Sequence, residues 1–161
     1  MRQLEQEGLL EYRRNRGCSV KKFESEDASE VFFLRCMLEC SSIHYREGAI
    51  GEAFLRQMER GLRDMEGAIA REDLSGFIEQ DQVFHGAIAR ACGLERLYAL
   101  WDSLTPVSIA LFLTDRRESF VLKDQYLRHK KVLDVLREGR EEESCRVVEE
   151  HYLKTTALFK R

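Results

Sequence analysis

Asp81 and His85 stand four residues apart in the stretch DQVFHGAIARAC, and Phe77, Phe84 and Ile88 share their side of the helix this stretch implies. An acid and an imidazole on an apolar helix face are costly unless they find partners. Two further histidines sit in the same kind of place. One stripe runs Leu122, Tyr126, His129, Leu133, Leu136, and another runs Val148, His151, Thr155, Leu158, each with its histidine pointing inward. The chain has four histidines, and the fourth, His44, has no such companion. A shared divalent cation would satisfy all four inward groups at once. Three imidazoles and one carboxylate suit zinc first, and also nickel, manganese or iron. The other reading is a structural helical bundle without metal, each imidazole bonded to a backbone carbonyl or a hydroxyl.

Such a site with open positions could activate water, which would make the protein a metal-dependent hydrolase-like enzyme. That chemistry also needs a general base. The nearest carboxylates in sequence, Glu79 and Glu149, fall off the inward stripes. No catalytic residue is therefore assigned, and the expectation is a binding protein rather than an enzyme.

Helices must carry these groups. With one proline and ten glycines in 161 residues, breakers cluster near Gly8, Gly17, 48–51, 71–73, Gly93, 115–119 and Gly139. The segments between them have helical periodicity. They predict helices over about 27–46, 52–70, 73–92, 94–114, 119–138 and 141–160. Pro106 should kink the fourth, because it removes a donor and crowds the preceding turn. The expected fold is all-α, an antiparallel bundle of six to seven helices.

Residues 1–22 differ from the rest. They hold six basic residues against three acidic ones, a net of +3 within a total of −3, so residues 23–161 carry −6. RQLEQEGLL reads as the end of a helix stopped at Gly8. LLEYRRNRGCSV reads as two short strands around the turn Asn15-Arg16-Gly17. The domain division expected is 1–22 and 23–161, a basic head on an acidic body.

Hydrophobic residues make up 43% and charged residues 34%, the balance of a soluble helical protein. No apolar run approaches the roughly 20 residues that span a bilayer, and the N-terminus has no signal-peptide pattern. The expected compartment is the cytoplasm, without a membrane partner. Five cysteines, an odd number with no CxxC pair, argue against a disulfide framework or a zinc knot. They read as small apolar helix residues.

Several of these stretches together resemble one known domain. DQVFHGAIARACGLERLYAL resembles the D-x-x-F-H-x-x-[IL]-x-x-A-x-G-N-x-x-L signature of the FCD ligand-binding domain, the C-terminal half of FadR-like transcription regulators in the GntR superfamily. RHKKVLDVLREGREEESCRVVEEHYLKT is similar to its closing motif. LRCMLEC, with Arg35 and Glu39, looks like its opening R-x-x-[LI]-E helix. The head resembles the last turn of a GntR recognition helix followed by the wing hairpin. Leu94 replaces the family's usual asparagine.

The resemblance implies a metabolite-responsive regulator, here mainly its sensing and dimerisation domain. It implies a metal held by Asp81, His85, His129 and His151, whose open positions take the carboxylate of a small organic acid. Arg35 matches a position that helps hold the acid; its other reading is an ion pair with Glu39. The resemblance also implies a homodimer that binds DNA when the full winged helix is present, with Arg13, Arg14 and Arg16 of the wing on the DNA. About 50 residues of a winged helix would precede the point where this chain starts, so a fragment, a truncated gene product or a misassigned start is expected. The chain as it stands should then dimerise and bind effector without reading base sequence.

Overall fold

The computed structural model describes residues 9–13, 17–114 and 122–159. A two-stranded antiparallel hairpin comes first, β1 (Leu10–Arg13) and β2 (Gly17–Val20), with Arg13 paired to Gly17 and Leu10 to Val20. Gly17 has φ +81°, a backbone state that glycine enters without a Cβ penalty. The expected helix end over residues 1–8 and the turn residues Arg14 to Arg16 lie outside the described residues. Only the backbone of Arg13 is described.

Seven helices follow among the described residues: α1 (Ser25–Tyr45), α2 (Glu52–Ala70), α3 (Leu74–Arg90), α4 (Glu95–Ser103), α5 (Thr105–Thr114), α6 (Leu122–Arg137) and α7 (Glu141–Ala157). Their bounds lie close to those the periodicity predicts. The kink expected at Pro106 is a full break. Leu104 closes α4 by donating to Trp101 O, and α5 restarts at Thr105. Pro106 thus sits in the first turn of α5, where a missing N–H costs nothing.

Local chemistry fixes the helix ends. Glu24 and Asp27 form a capping box on α1, with Glu24 N donating to Asp27 Oδ2 at 2.8 Å. Asp73 caps α3 by accepting from Gly76 N at 2.8 Å. α1 ends by turning through Gly48, whose N–H donates to Ile43 O at 3.0 Å and whose φ is +80°. A Cβ there would lie 2.5 Å from Gly139 O and 2.7 Å from Glu141 N. Gly48→Ala should therefore lose about 2–4 kcal/mol from the left-handed backbone and the backbone clash together. Urea unfolding would measure it, and a loss below about 0.5 kcal/mol would mean the turn relaxes freely.

α1 is the central helix, packed against α7, α3, α4 and α5, while α2 pairs with α3 and α6, and α6 with α7. Its buried residues run from Ala28 and Val31 through Phe32, Arg35, Cys36, Glu39 and Cys40 to Ser42 and Ile43. α2 behaves as an outer helix and buries one stripe, Leu55, Met58, Leu62 and Met65. Phe32 of α1 meets Phe112 and Phe159, each with ring centroids 5.4 Å away. Ser42 ties α1 to α3, donating to Ile88 O at 2.6 Å and accepting from Cys92 N at 3.1 Å. These contacts hold α1, α3, α6 and α7 around one interior point. The five cysteines are free thiols, and all but Cys18 are buried. No described helix is long and apolar enough to cross a membrane.

Candidate metal centre

α3 brings Asp81 and His85 to that point, α6 brings His129 and α7 brings His151. All four are buried. One ring nitrogen from each of the three histidines lies within 4.8 Å of the other two. His85 Nε2 is 3.2 Å from His151 Nε2. Asp81 Oδ1 is 2.8 Å from His129 Nε2 and 3.9 Å from His85 Nε2. The fold thus brings together the three histidines that the stripes select, with Asp81 against His129 at the edge of that group.

The opposite edges of the rings are fixed by acceptors. His85 Nδ1 donates to Glu39 Oε2 at 2.9 Å. His129 Nδ1 donates to Gln125 O at 2.8 Å, one turn earlier on α6. Each of these rings thus carries its hydrogen on Nδ1, and a neutral ring turns the lone pair of Nε2 inward. Lone pairs then face lone pairs at 2.8 to 3.2 Å. A hydrogen or a cation between them relieves this, and His151 can supply the hydrogen only by donating from Nε2 to His85, which leaves its own Nδ1 buried without a partner. Without a metal, the contact of His129 Nε2 with Asp81 Oδ1 at 2.8 Å needs a proton held between imidazole and carboxylate. A divalent cation takes that proton's place and also takes His151 Nε2 as a neutral donor. The donor set, three imidazole nitrogens and a carboxylate oxygen, fits a divalent metal.

The titration behaviour follows from the same geometry. Burial alone would lower His85, but the carboxylates of Glu39 and Asp81 outweigh it and hold His85 above the usual histidine range. His151 has no carboxylate on it. Burial, then the neighbouring rings of His129 and His85, push it well below that range. Burial works to raise Asp81, yet the hydrogen bond from His129 and the charges on His85 and His129 leave it lowered.

Glu39 holds a second layer of the site. Fully buried on α1, its carboxylate accepts from Trp101 Nε1 at 2.9 Å, from the Tyr152 hydroxyl, and from His85 Nδ1. Burial and that carboxylate raise Tyr152 well above the phenol range, so it stays a donor. Glu39 therefore does not pair with Arg35, as one sequence reading had it. The Arg35 guanidinium lies over the Trp101 ring, 4.0 Å from its centroid. Its Nη1 and Nη2 are buried and have no hydrogen-bond partner.

Trp101 also lines a cavity of about 500 Å³ between α2, α3, α4 and α5. Its indole packs against Gly86, where an added Cβ would touch the ring at 3.4 Å. Two polar atoms on the cavity wall are buried and unpartnered, Gln82 Oε1 and Thr105 Oγ1. The other end of the Gln82 amide donates to Asp81 Oδ2 at 2.9 Å, so cavity and cluster are one side chain apart.

Residues 30–154 match the model of the FCD domain. The chain belongs to the FCD domain family. It is 28% identical over 101 residues to the HTH-type transcriptional repressor RspR of Escherichia coli K12, a match covering 63% of this chain and 43% of that protein. It is 26% identical over 118 residues to the gluconate operon transcriptional repressor of Bacillus subtilis, covering 73% and 48%. The matches thus span about half the length of these relatives. Among solved structures, a GntR transcriptional regulator from Rhodococcus sp. RHA1 superposes with TM-score 0.80 at 22% identity, covering 98% of this chain and 75% of that one. E. coli McbR/YncC gives 0.78 at 16% over the same shares. At these identities the likeness is one of fold.

Sequence reasoning on this FCD chain missed Glu39 as a partner of His85, and it missed Trp101, Tyr152, Gln82 and Thr105. Tyr152 follows His151 directly, which is the one local signal for it. The others are placed by contacts between helices far apart in sequence. Glu39→Gln puts an amide where three donors converge, which weakens the hold on His85. Metal affinity should fall by about 10- to 100-fold with the helical content kept. Competition titration against a chelator would show it, and an unchanged affinity would remove Glu39 from the site.

Proposed function

We propose that this chain is the sensing part of a metabolite-responsive transcription regulator, which binds a small organic acid at a metal held by Asp81, His85, His129 and His151. The observation that carries the reading is the inward set of Nε2 lone pairs, locked by Glu39 and Gln125 at the far edges of two rings. Zinc fits first, with nickel, manganese or iron as alternatives. A bound metal would supply open coordination positions for a carboxylate oxygen. The free Nη atoms of Arg35 offer a second, charge-assisted hold on an acid. The hydroxyls of such an acid would find Gln82 Oε1 and Thr105 Oγ1.

Arg35 and Glu39 lie on α1, the helix that follows the hairpin directly. Lys21, just past β2, reaches Asp27 in the first turn of α1 at 2.7 Å. Capture of an acid by Arg35 would bias α1 and through it the head formed by residues 1–22. In a homodimer this changes the spacing of the two heads on DNA, where Arg13, Arg14 and Arg16 would meet phosphates or the minor groove. The setting is the cytoplasm, and the role is binding rather than catalysis.

The test is elemental analysis of the protein as purified, then a thermal-shift screen of organic acids with and without a chelator. We expect about one divalent ion per chain. The acid that binds should raise the midpoint through mass action. That rise should vanish with the metal and shrink at least tenfold in apparent affinity in Arg35→Met, given about 1.5–3 kcal/mol for a bond to a charged group. Protein without metal, or acid binding indifferent to the chelator, would overturn the reading.

A further inference from the structure

The end of α1 and the start of α7 meet beside the layer that holds Glu39, and buried thiols from both helices lie there. Cys40 Sγ lies 3.8 Å from Cys145 O, and Cys145 Sγ lies 3.8 Å from Cys40 O. This reciprocal contact brings the two backbones close, each thiol donating to the carbonyl oxygen of the other residue. Cys36, buried as well, stands one turn before Cys40 on α1.

Cys145 has a second neighbour of a different kind. His44 Nε2 is 3.5 Å from Cys145 Sγ, and His44 Nδ1 is 2.6 Å from Glu141 Oε1. A carboxylate thus fixes the imidazole tautomer with Nδ1–H toward Glu141 and the lone pair of Nε2 toward the sulfur. This is the arrangement of thiol, base and orienting acid that activates a nucleophile. His44 is solvent-exposed, at 55% of its side chain, while Cys145 beneath it is buried, so the base meets solvent and the sulfur lies one contact inside. His44 is also the histidine that the metal cluster leaves aside.

We propose that Cys145 is an oxidisable thiol, activated by His44 and Glu141 and resolved by Cys40, whose target is a hydroperoxide and whose product is a disulfide joining α1 to α7. His44 Nε2 takes the thiol proton. The thiolate then attacks the near oxygen of the peroxide, the S–O bond forms and the O–O bond breaks. The departing hydroxide or alkoxide leaves as water or alcohol with the proton returned from His44. The sulfenic acid at Cys145 is attacked by the Cys40 sulfur. The S–S bond forms, the S–O bond breaks, and a second water leaves with the Cys40 proton. Two thiols are oxidised by two electrons and one peroxide is reduced.

At rest both thiols are protonated. Burial and the carboxylates of Glu149 and Glu141 raise Cys145 despite the bond from Cys40, and the bond with Cys36 followed by burial raises Cys40. Reaction therefore depends on His44 as base rather than on a standing thiolate. The cross-link would tie the helix bearing Arg35 and Glu39 to the helix bearing His151 and Tyr152. It would close a loop between residues 105 apart, which raises the thermal midpoint.

The test uses the full chain with Cys18→Ser and Cys92→Ser to remove background thiols, treated with a few equivalents of hydrogen peroxide and read by peptide mass. We expect a peptide pair joined through Cys40 and Cys145, two hydrogens lighter than the parts and restored by dithiothreitol. Cys40→Ser should stop at the sulfenic acid on Cys145, trapped by a 1,3-dione reagent. His44→Gln and, independently, Glu141→Gln should slow oxidation at least about tenfold, with helical content unchanged. An inert Cys145, a bond between Cys36 and Cys40 instead, or an unchanged rate in both variants overturns the proposal.

Discussion

His129→Ala is expected to cut bound metal from about one ion per chain to less than a tenth of that. Of the described residues, only His129 brings an imidazole to the cluster from α6. Its Nε2 stands 2.8 Å from Asp81 Oδ1, while its Nδ1 is spent on Gln125 O. The loss has three parts. One of three nitrogen donors goes. In the metal-free chain Asp81 also loses the hydrogen bond that does most to offset its burial, leaving a buried carboxylate half-paired. The ring also packs edge-on against Phe84, with centroids 5.0 Å apart, so alanine leaves a void. A metal present at about 1,000 times its dissociation constant contributes about 4 kcal/mol to the loaded fold. In a domain of this size that loss should lower the midpoint by about 10 °C. His44→Ala, off the cluster, should keep its metal. Full occupancy in His129→Ala would dismiss the four-residue assignment.

How far the sequence reaches can be judged on single residues. Asp81, His85, His129 and His151 were legible because each falls in phase with large apolar residues three or four positions away, even on α3, where every residue from Phe84 to Ala89 is buried. Glu39 was not legible that way. α1 is enclosed by four other helices and buries residues on several sides, so it has no stripe against which a carboxylate stands out. Its partners Trp101 and Tyr152 are 62 and 113 residues away, and nothing local marks such pairs. Arg35 shows the same limit. The i to i+4 spacing to Glu39 suggests an ion pair, but three neutral or imidazole donors claim that carboxylate, and the guanidinium stacks on the indole instead. Pro106 was read correctly as a disruption and only its degree was missed. The hairpin was legible from Asn15-Arg16-Gly17, since a tight turn needs a residue that accepts positive φ. The metal and the acid themselves rest on the donor set and on the orphaned nitrogens of Arg35.

Raising pH should widen the gap in thermal midpoint between metal-loaded and metal-free protein, and lowering it toward pH 4.5 should close the gap. Metal-bound imidazoles are neutral, so protons and the cation compete for the same nitrogens. His85 leads that competition, because Glu39 and Asp81 hold its proton above the usual value near 6.5. His151 and Asp81 are both lowered and compete only at greater acidity. The metal-free chain has opposing contributions. The pairing of charged His85 with Glu39 and Asp81 is fully present below 6.5 and is lost as pH rises through its raised value. The stability from neutral His151 is present above 6.5 and is lost as pH falls through its lowered value. That from Asp81 is present above 3.8 and is lost only below it. On the alkaline side, then, the metal-free protein has lost what charged His85 gave it, while the cation meets no proton at that ring. Near pH 5 the proton on His85 excludes the cation and itself relieves the facing lone pairs. Melting curves from pH 5 to 8.5, with saturating metal and with chelator, measure the gap directly. A gap that stays constant, or that is largest at pH 5, would mean that these imidazoles do not hold the ion.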